Sequence, residues 1–300
     1  MKKINIILGI VLISTPAIAS DPGTSAGVTL LQPVTAKAAS MGQACSGLRG
    51  DISALNYNPA GMASFTSGEL SMMYQRGFAE DNYGSFVFGR KTSYGGFSMS
   101  FINYDTGKIE MYDSSGDLIT KTGQRDMIFA VGAAKKIFGL PVGVSVKHMS
   151  SEIFGNKAKV WAMDAGAQFL GFGDDITIGL AIQNLGGKLQ YLNEKETLPL
   201  TIRPGASYNM VSGAHKIMFS LDTPYYKNDK ETLALIGVDY TYNALSLRSG
   251  YRLNLSDSDG EAESFNFGIS FDWSTYSFSY ATGIIDNLDS PHQLSFTMKF

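Results

Sequence analysis

From about Gly68 onward the chain alternates apolar and polar residues in stretches of about ten, broken by turn residues. This is the period of a strand with two unlike faces. Leu245, Leu247, Tyr251, Leu253 and Leu255 share one phase, and Ser246, Arg248, Arg252 and Asn254 the other. Phe265, Phe267, Ile269, Phe271 and Trp273 alternate with Asn266, Gly268, Ser270 and Asp272. Leu294, Phe296, Met298 and Phe300 close the chain in the same way. One face suits hydrocarbon and the other suits water, as in a transmembrane barrel.

The pattern predicts strands at roughly 67–76, 83–91, 94–112, 117–137, 140–153, 157–171, 174–184, 198–210, 213–222, 231–243, 245–255, 262–273, 275–285 and 291–300. Fourteen is an even number, as an antiparallel barrel with both ends on one side requires. Tight turns such as Phe138-Gly139, Val211-Ser212 and Asn243-Ala244 alternate with longer polar loops such as 185–197 and 223–230. Short periplasmic turns and longer outer loops are the expected asymmetry. It predicts that the N-terminal segment and the C-terminus both lie on the periplasmic side. A secreted β-sandwich also alternates, but it would not hold strands near ten residues with paired short and long connections throughout.

Residues 20–66 lack this alternation and are rich in Ala, Gly and Ser, with a short helix predicted from Val34 to Leu48. A segment this small cannot build its own core. It reads as a hatch folded inside the barrel mouth; a periplasmic tail is the alternative. Residues 1–19 combine Lys2 and Lys3, an apolar run from Ile4 to Ile13, Pro16 and Ala17-Ile18-Ala19, the pattern of a secretory signal peptide. The domain reading is therefore signal peptide 1–19, hatch 20–66 and barrel 67–300.

Composition adds exclusions. No run of about 18 apolar residues occurs, so a conventional spanning helix is absent from the pattern. A net charge of −3 without a basic cluster argues against nucleic acid. Cys45 is the single cysteine and reads as a small buried side chain. His148, His215 and His292 are scattered without metal-ligand spacing, no nucleophile or phosphate-loop motif occurs, and Gly171-Phe172-Gly173 reads as a turn. No enzyme, cofactor or metal is expected. The acidic stretch Asp257 to Glu263 lacks full calcium-loop spacing and reads as a solvated outer loop.

Several segments in fixed order carry a family likeness: Gly23-Thr24-Ser25-Ala26, Ala36 to Gly42, Asp51 to Met62, Ala181 to Leu189 and Leu198 to Ala206. Together they resemble the PorV/PorQ-type outer-membrane proteins. More distantly, the Asn-Pro-Ala element is similar to that of the FadL long-chain fatty acid transporters. The resemblance implies a fourteen-stranded antiparallel barrel with a lumenal hatch. It also implies two functional readings: a binding or scaffold component of protein export such as type IX secretion, or a passive transporter of hydrophobic molecules. Partners so implied are outer-membrane lipid, the barrel-assembly machinery, an envelope or secretion protein, and a hydrophobic ligand.

The hatch motif is Asn56, Asn58, Pro59, Ala60 and Gly61. Pro59 pushes Asn58 out of the helical region, the Asn58 side chain can then bond nearby backbone, and Gly61 permits a turn. Arg248, Arg252 and Asp272 are expected to face the lumen, the arginines pairing with Asp239 or Asp272. In the third strand Asn103, Asp105 and Gly107 continue the phase of Phe97, Met99 and Phe101. They mark either a lateral opening or the point where the strand leaves the membrane. Phe300 is expected to serve as the assembly signal.

Overall fold

The structure is a computed structural model, and the residues it describes are 25–77, 81–112, 115–171, 175–256, 263–285 and 290–300. The signal-peptide reading, Gly23-Thr24, the turn residues Phe172-Gly173 and most of the acidic stretch from Asp257 fall outside the described residues.

Fourteen antiparallel strands close into one barrel: β1 Glu69–Arg76, β2 Asn82–Thr92, β3 Gly95–Asp105, β4 Gln124–Ile137, β5 Leu140–Ile153, β6 Asn156–Gly171, β7 Ile176–Gly186, β8 Thr201–Ser212, β9 His215–Asp222, β10 Glu231–Tyr242, β11 Leu245–Asn254, β12 Ser264–Trp273, β13 Tyr276–Ile285 and β14 His292–Lys299. Each pairs with its neighbours in sequence, and β14 closes on β1 from Glu69↔Lys299 to Arg76↔His292. A short strand, Tyr225–Tyr226, fills the space between β8 and β10 beyond the end of β9. Two ribbons rise from the outer loops: Lys108–Tyr112 with Leu118–Thr122, and Lys188–Tyr191 with Glu194–Thr197. The first corrects the expectation of two strands continuous over 94–112 and 117–137.

The alternation places side chains as the pleat requires. Phe129, Trp161, Phe169, Ile178, Leu180, Phe219, Ile236, Leu247, Phe267 and Phe278 are exposed on the outer surface. Tyr94, Phe138, Tyr242, Trp273 and Tyr276 lie exposed at or beside the short turns, an aromatic belt at one rim. An apolar outer wall on a closed barrel is soluble only in hydrocarbon, so the protein is an outer-membrane barrel and the short-turn rim faces the periplasm.

Phe300 lies at that rim. Its backbone N–H donates to Gly68 O and Gly68 N–H donates to Phe300 O, both at 2.9 Å. Its ring stacks on Phe88 at 6.1 Å. It therefore fastens the β14–β1 seam from the lipid side. Phe300→Glu is expected to lower the yield of assembled barrel, read as loss of the heat-modifiable gel band. Wild-type yield would remove the seam argument.

The N-terminal segment corrects one expectation. Ser25 donates to Asp229 through its N–H (3.1 Å) and its hydroxyl (2.7 Å), and bridges to Thr197. Both partners lie in outer loops. The segment then descends the lumen through α1 Ala36–Ser40 and α2 Ala54–Tyr57, and reaches the periplasmic rim at Phe65 beside Gly89. It enters from the outside and leaves on the inside. The helix expected from Val34 to Leu48 is corrected to the five residues of α1, capped by Thr35 Oγ1 accepting from Ala38 N–H.

A belt of small residues makes room for it. A Cβ added to Gly96, Gly143, Gly166, Gly179 or Gly250 would collide with hatch atoms. Where other strands meet the hatch, serines bond its carbonyls: Ser85 Oγ donates to Val34 O, Ser207 Oγ to Gly47 O, and Ser220 Oγ to Ala44 O.

Candidate functional site: the hatch and its seat

The hatch motif folds as its chemistry dictates. Asn58 is extended (φ −149°, ψ 101°), its Oδ1 accepts from Ala60 N–H at 3.1 Å, and Pro59 opens a 3₁₀ turn, Pro59–Ser64. The same side chain reaches outward, donating from Nδ2 to Ser46 O and to Ala167 O of β6. Gly61 has a different role from the one expected. It does not adopt a positive φ; a Cβ there would stand 2.6 Å from Leu48 O, so glycine is required by close approach. Asn56 supplies a backbone oxygen to Gln183 Nε2 at 2.6 Å.

The wall opposite supplies a polar seat that the sequence reading did not single out. Gln168 Nε2 donates to Ser46 O and Leu48 O. Asp222, fully buried, accepts from Cys45 N–H (3.0 Å), Ser46 N–H (3.0 Å) and Ser46 Oγ (2.6 Å). Arg203 Nη1 lies 3.4 Å from Asp222 and donates to Gln43 O, while Nε donates to Gln183 Oε1. The guanidinium also lies over the Tyr57 ring at 5.3 Å. Cys45 is buried here, and burial raises its thiol pKa well above the ordinary value. The usable signal was phase: Gln168, Gln183, Arg203 and Asp222 all sit at lumen-facing positions.

A second buried cluster flanks the seat. Lys147 Nζ lies 2.7 Å from Asp164 Oδ2 and donates to Asn184 Oδ1 at 3.0 Å. Asn184, with φ 59°, forms a bulge in the β6–β7 ladder, and its N–H donates to Asp164 Oδ1 at 2.8 Å. Its Nδ2 donates to Pro199 O, so the segments 181–189 and 198–206 meet here.

The lumen is divided by α1. On the periplasmic side a cavity of about 370 Å³ is lined by Lys37, Asp51, Glu69, Arg248, Asp272 and Lys299, among others. Lys37 Nζ lies 2.8 Å from Asp51 Oδ2. Burial, the largest single influence, disfavours both charges, but Asp51 and Asp239 together hold Lys37 above its ordinary pKa, and Lys37 with the Ser53 hydrogen bonds holds Asp51 below its own. On the outer side a second cavity, about 390 Å³, is lined in part by Pro33, Ala39, Gln75, Tyr83, Arg252 and Gln293. Between them α1 rests on the wall through small side chains, Ala36 and Ala39 against Ala281 and Ser40 against Gly268. Beside the outer cavity the lumen holds an apolar cluster: hatch residues Leu30 and Val34 with Ile102, Ile128, Met149, Val160 and Leu198.

The remaining expected residues are placed as follows. Arg248 Nε lies 2.9 Å from Asp239 Oδ2 on the lumen face; Asp272 lines the periplasmic cavity instead of pairing with either arginine. Arg252 lines the outer cavity. Asn103 and Asp105 stay within an unbroken ladder, paired with Gly84 and Met127 and with Asn82 and Arg125, and Asp105 Oδ2 lies 2.7 Å from Arg125 Nη2. The wall is shut there, and Gly107 (φ 77°) begins the outer ribbon. The histidines pack singly: His148 on Trp161, His215 on Tyr242, His292 on Tyr280. Among the described residues no group of three His, Cys, Asp or Glu could hold a metal.

No known family model matches the chain, and no curated protein matches it. Solved structures do. A deltaS2 mutant of the TodX monoaromatic hydrocarbon channel superposes with a TM-score of 0.61 at 13% identity, covering 89% of this chain and 98% of the other. The Ralstonia pickettii toluene transporter TbuX gives 0.60 at 12% identity, with the same coverage. The Acinetobacter baumannii outer membrane protein Omp33 gives 0.50 at 10% identity, covering 78% and 98%. At these identities the likeness establishes a shared fold.

Proposed function

We propose that the protein is a plugged outer-membrane channel that passes small hydrophobic molecules inward. The carrying observation is the apolar cluster inside the lumen. A water-filled pore lines its interior with polar residues, whereas here Ile102, Ile128, Met149 and Val160 turn apolar side chains inward against the hatch. Movement of Leu30 and Val34 would open a greasy path beside the wall. The shared fold with a hydrocarbon channel and a toluene transporter supports the same reading.

Cells expressing the chain should take up labelled toluene faster than cells lacking it, and proteoliposomes should do the same. Equal uptake with a correctly assembled barrel would overturn the proposal.

A second reading, a scaffold of protein export as in PorV/PorQ-type proteins, draws on the outer ribbons, where Tyr112, Leu118 and Leu192 stand exposed above the membrane. Mild-detergent purification from the native cell separates the two. A stoichiometric protein partner without lipid favours the scaffold, and a bound lipid in a partner-free barrel favours the channel.

A further inference from the structure

The outer cavity differs in chemistry from the apolar cluster beside it. Its wall carries Gln75, Gln124, Asn266 and Gln293, and the hatch adds Gln32. Among the described residues little of this capacity is committed. Gln293 Nε2 donates to Gln75 Oε1 at 3.0 Å, Gln124 Nε2 to Asp126, and Asn266 Nδ2 to Ser264 Oγ at 3.2 Å. A carboxamide offers two donors and two acceptor lone pairs, so each keeps positions to spare.

Tyr83 gives the independent sign. It lies on the cavity wall, is only 1% exposed, and its hydroxyl is buried without a hydrogen-bond partner among the described residues. A hydroxyl left so is costly. The ring also packs in the apolar cluster, where a phenylalanine would serve as well, so the hydroxyl has a use only when the ring turns it toward a group held in the cavity. The lining includes one acid, Asp81, and one base, Arg252, so it selects for neither sign of charge. About 390 Å³ is more than twice the ~150 Å³ that holds one benzene ring, so a single-ring solute fits with space left for ordered water.

We propose that this cavity is a binding site for a small neutral molecule carrying a hydroxyl group on an apolar body, with Tyr83 and the surrounding carboxamides reading the hydroxyl. The inference rests on the channel reading and narrows it: the solute first captured is hydroxylated, and a bare hydrocarbon passes without being held.

Phenol and toluene are suitable probes, being nearly equal in size and differing by a hydroxyl for a methyl. Binding to purified full-length protein in amphipol would be followed by titration calorimetry and saturation-transfer NMR, with permeation into proteoliposomes measured separately. Phenol is expected to bind at least ~10-fold tighter than toluene, because toluene leaves the polar groups unpaired. Tyr83→Phe should weaken phenol roughly 10-fold and leave toluene unchanged. Gln32→Leu, on the exposed tip of the hatch and outside the wall, should weaken phenol without touching barrel assembly. Equal binding of the probes, phenol binding indifferent to both substitutions, or no binding of either would overturn the assignment. Selective phenol binding with no permeation of either probe would count against the channel reading and leave the site standing.

Discussion

Deleting residues 20–66 should turn a closed barrel into an open pore, with single-channel conductance in planar bilayers rising by roughly an order of magnitude toward that of a water-filled porin. The wall does not depend on the hatch for closure. All fourteen strands pair around the ring, and β14 meets β1 along the full length of β1. What the hatch supplies is the filling: Val34, Met41, Leu55 and Met62 are each fully buried in the lumen. Without them the small-residue belt lines open water. Heat-modifiable migration on gels would verify that the deleted form still assembles. Conductance equal to that of the intact protein in an assembled barrel would mean that the wall collapses inward or that outer loops seal the pore.

The parts of this molecule that were legible in the sequence are those set by local period. Alternation in Phe265 to Trp273 and Leu294 to Phe300 fixes which side chains face lipid, because a strand's side chains must alternate. The Asn58-Pro59 corner was legible for a similar reason, since proline restricts the residue before it and asparagine bonds its own backbone two residues on. Matching hatch to wall was not legible. Which lumen-facing positions share one level depends on how far each strand is staggered around the barrel, and the sequence holds no local record of that. Gly179 and Gly250 are therefore indistinguishable by sequence from glycines that merely relieve crowding, until the hatch backbone is seen against them. The direction of threading was hidden too. It shows in Ser25 meeting Asp229, a contact across 204 residues.

The largest effect of a single substitution is expected at Asp222. Replacing it with alanine leaves the N–H groups of Cys45 and Ser46 without their acceptor and strands the Arg203 charge, in a site where both ionic side chains are nearly inaccessible to water. Removing one partner of a buried ion pair typically costs about 3–5 kcal/mol, because the other charge stays desolvated. Two consequences should appear together. The temperature at which the folded gel band is lost should drop, and the loosened hatch should give flickering conductance that the parent protein lacks. A cycle with Arg203→Leu distinguishes a lost pair from a lost shape: if the double variant is less impaired than the two single losses summed, the penalty comes from the stranded charge. Additive losses would instead place the anchoring in separate contacts of Asp222 with Ser46 and of Arg203 with Gln43, Gln183 and Tyr57. An Asp222→Ala barrel as heat-resistant and as silent as the parent would show that the hatch is held elsewhere, with Gln168 and Asn58, which grip the same 46–48 segment and the β6 strand, the next residues to test.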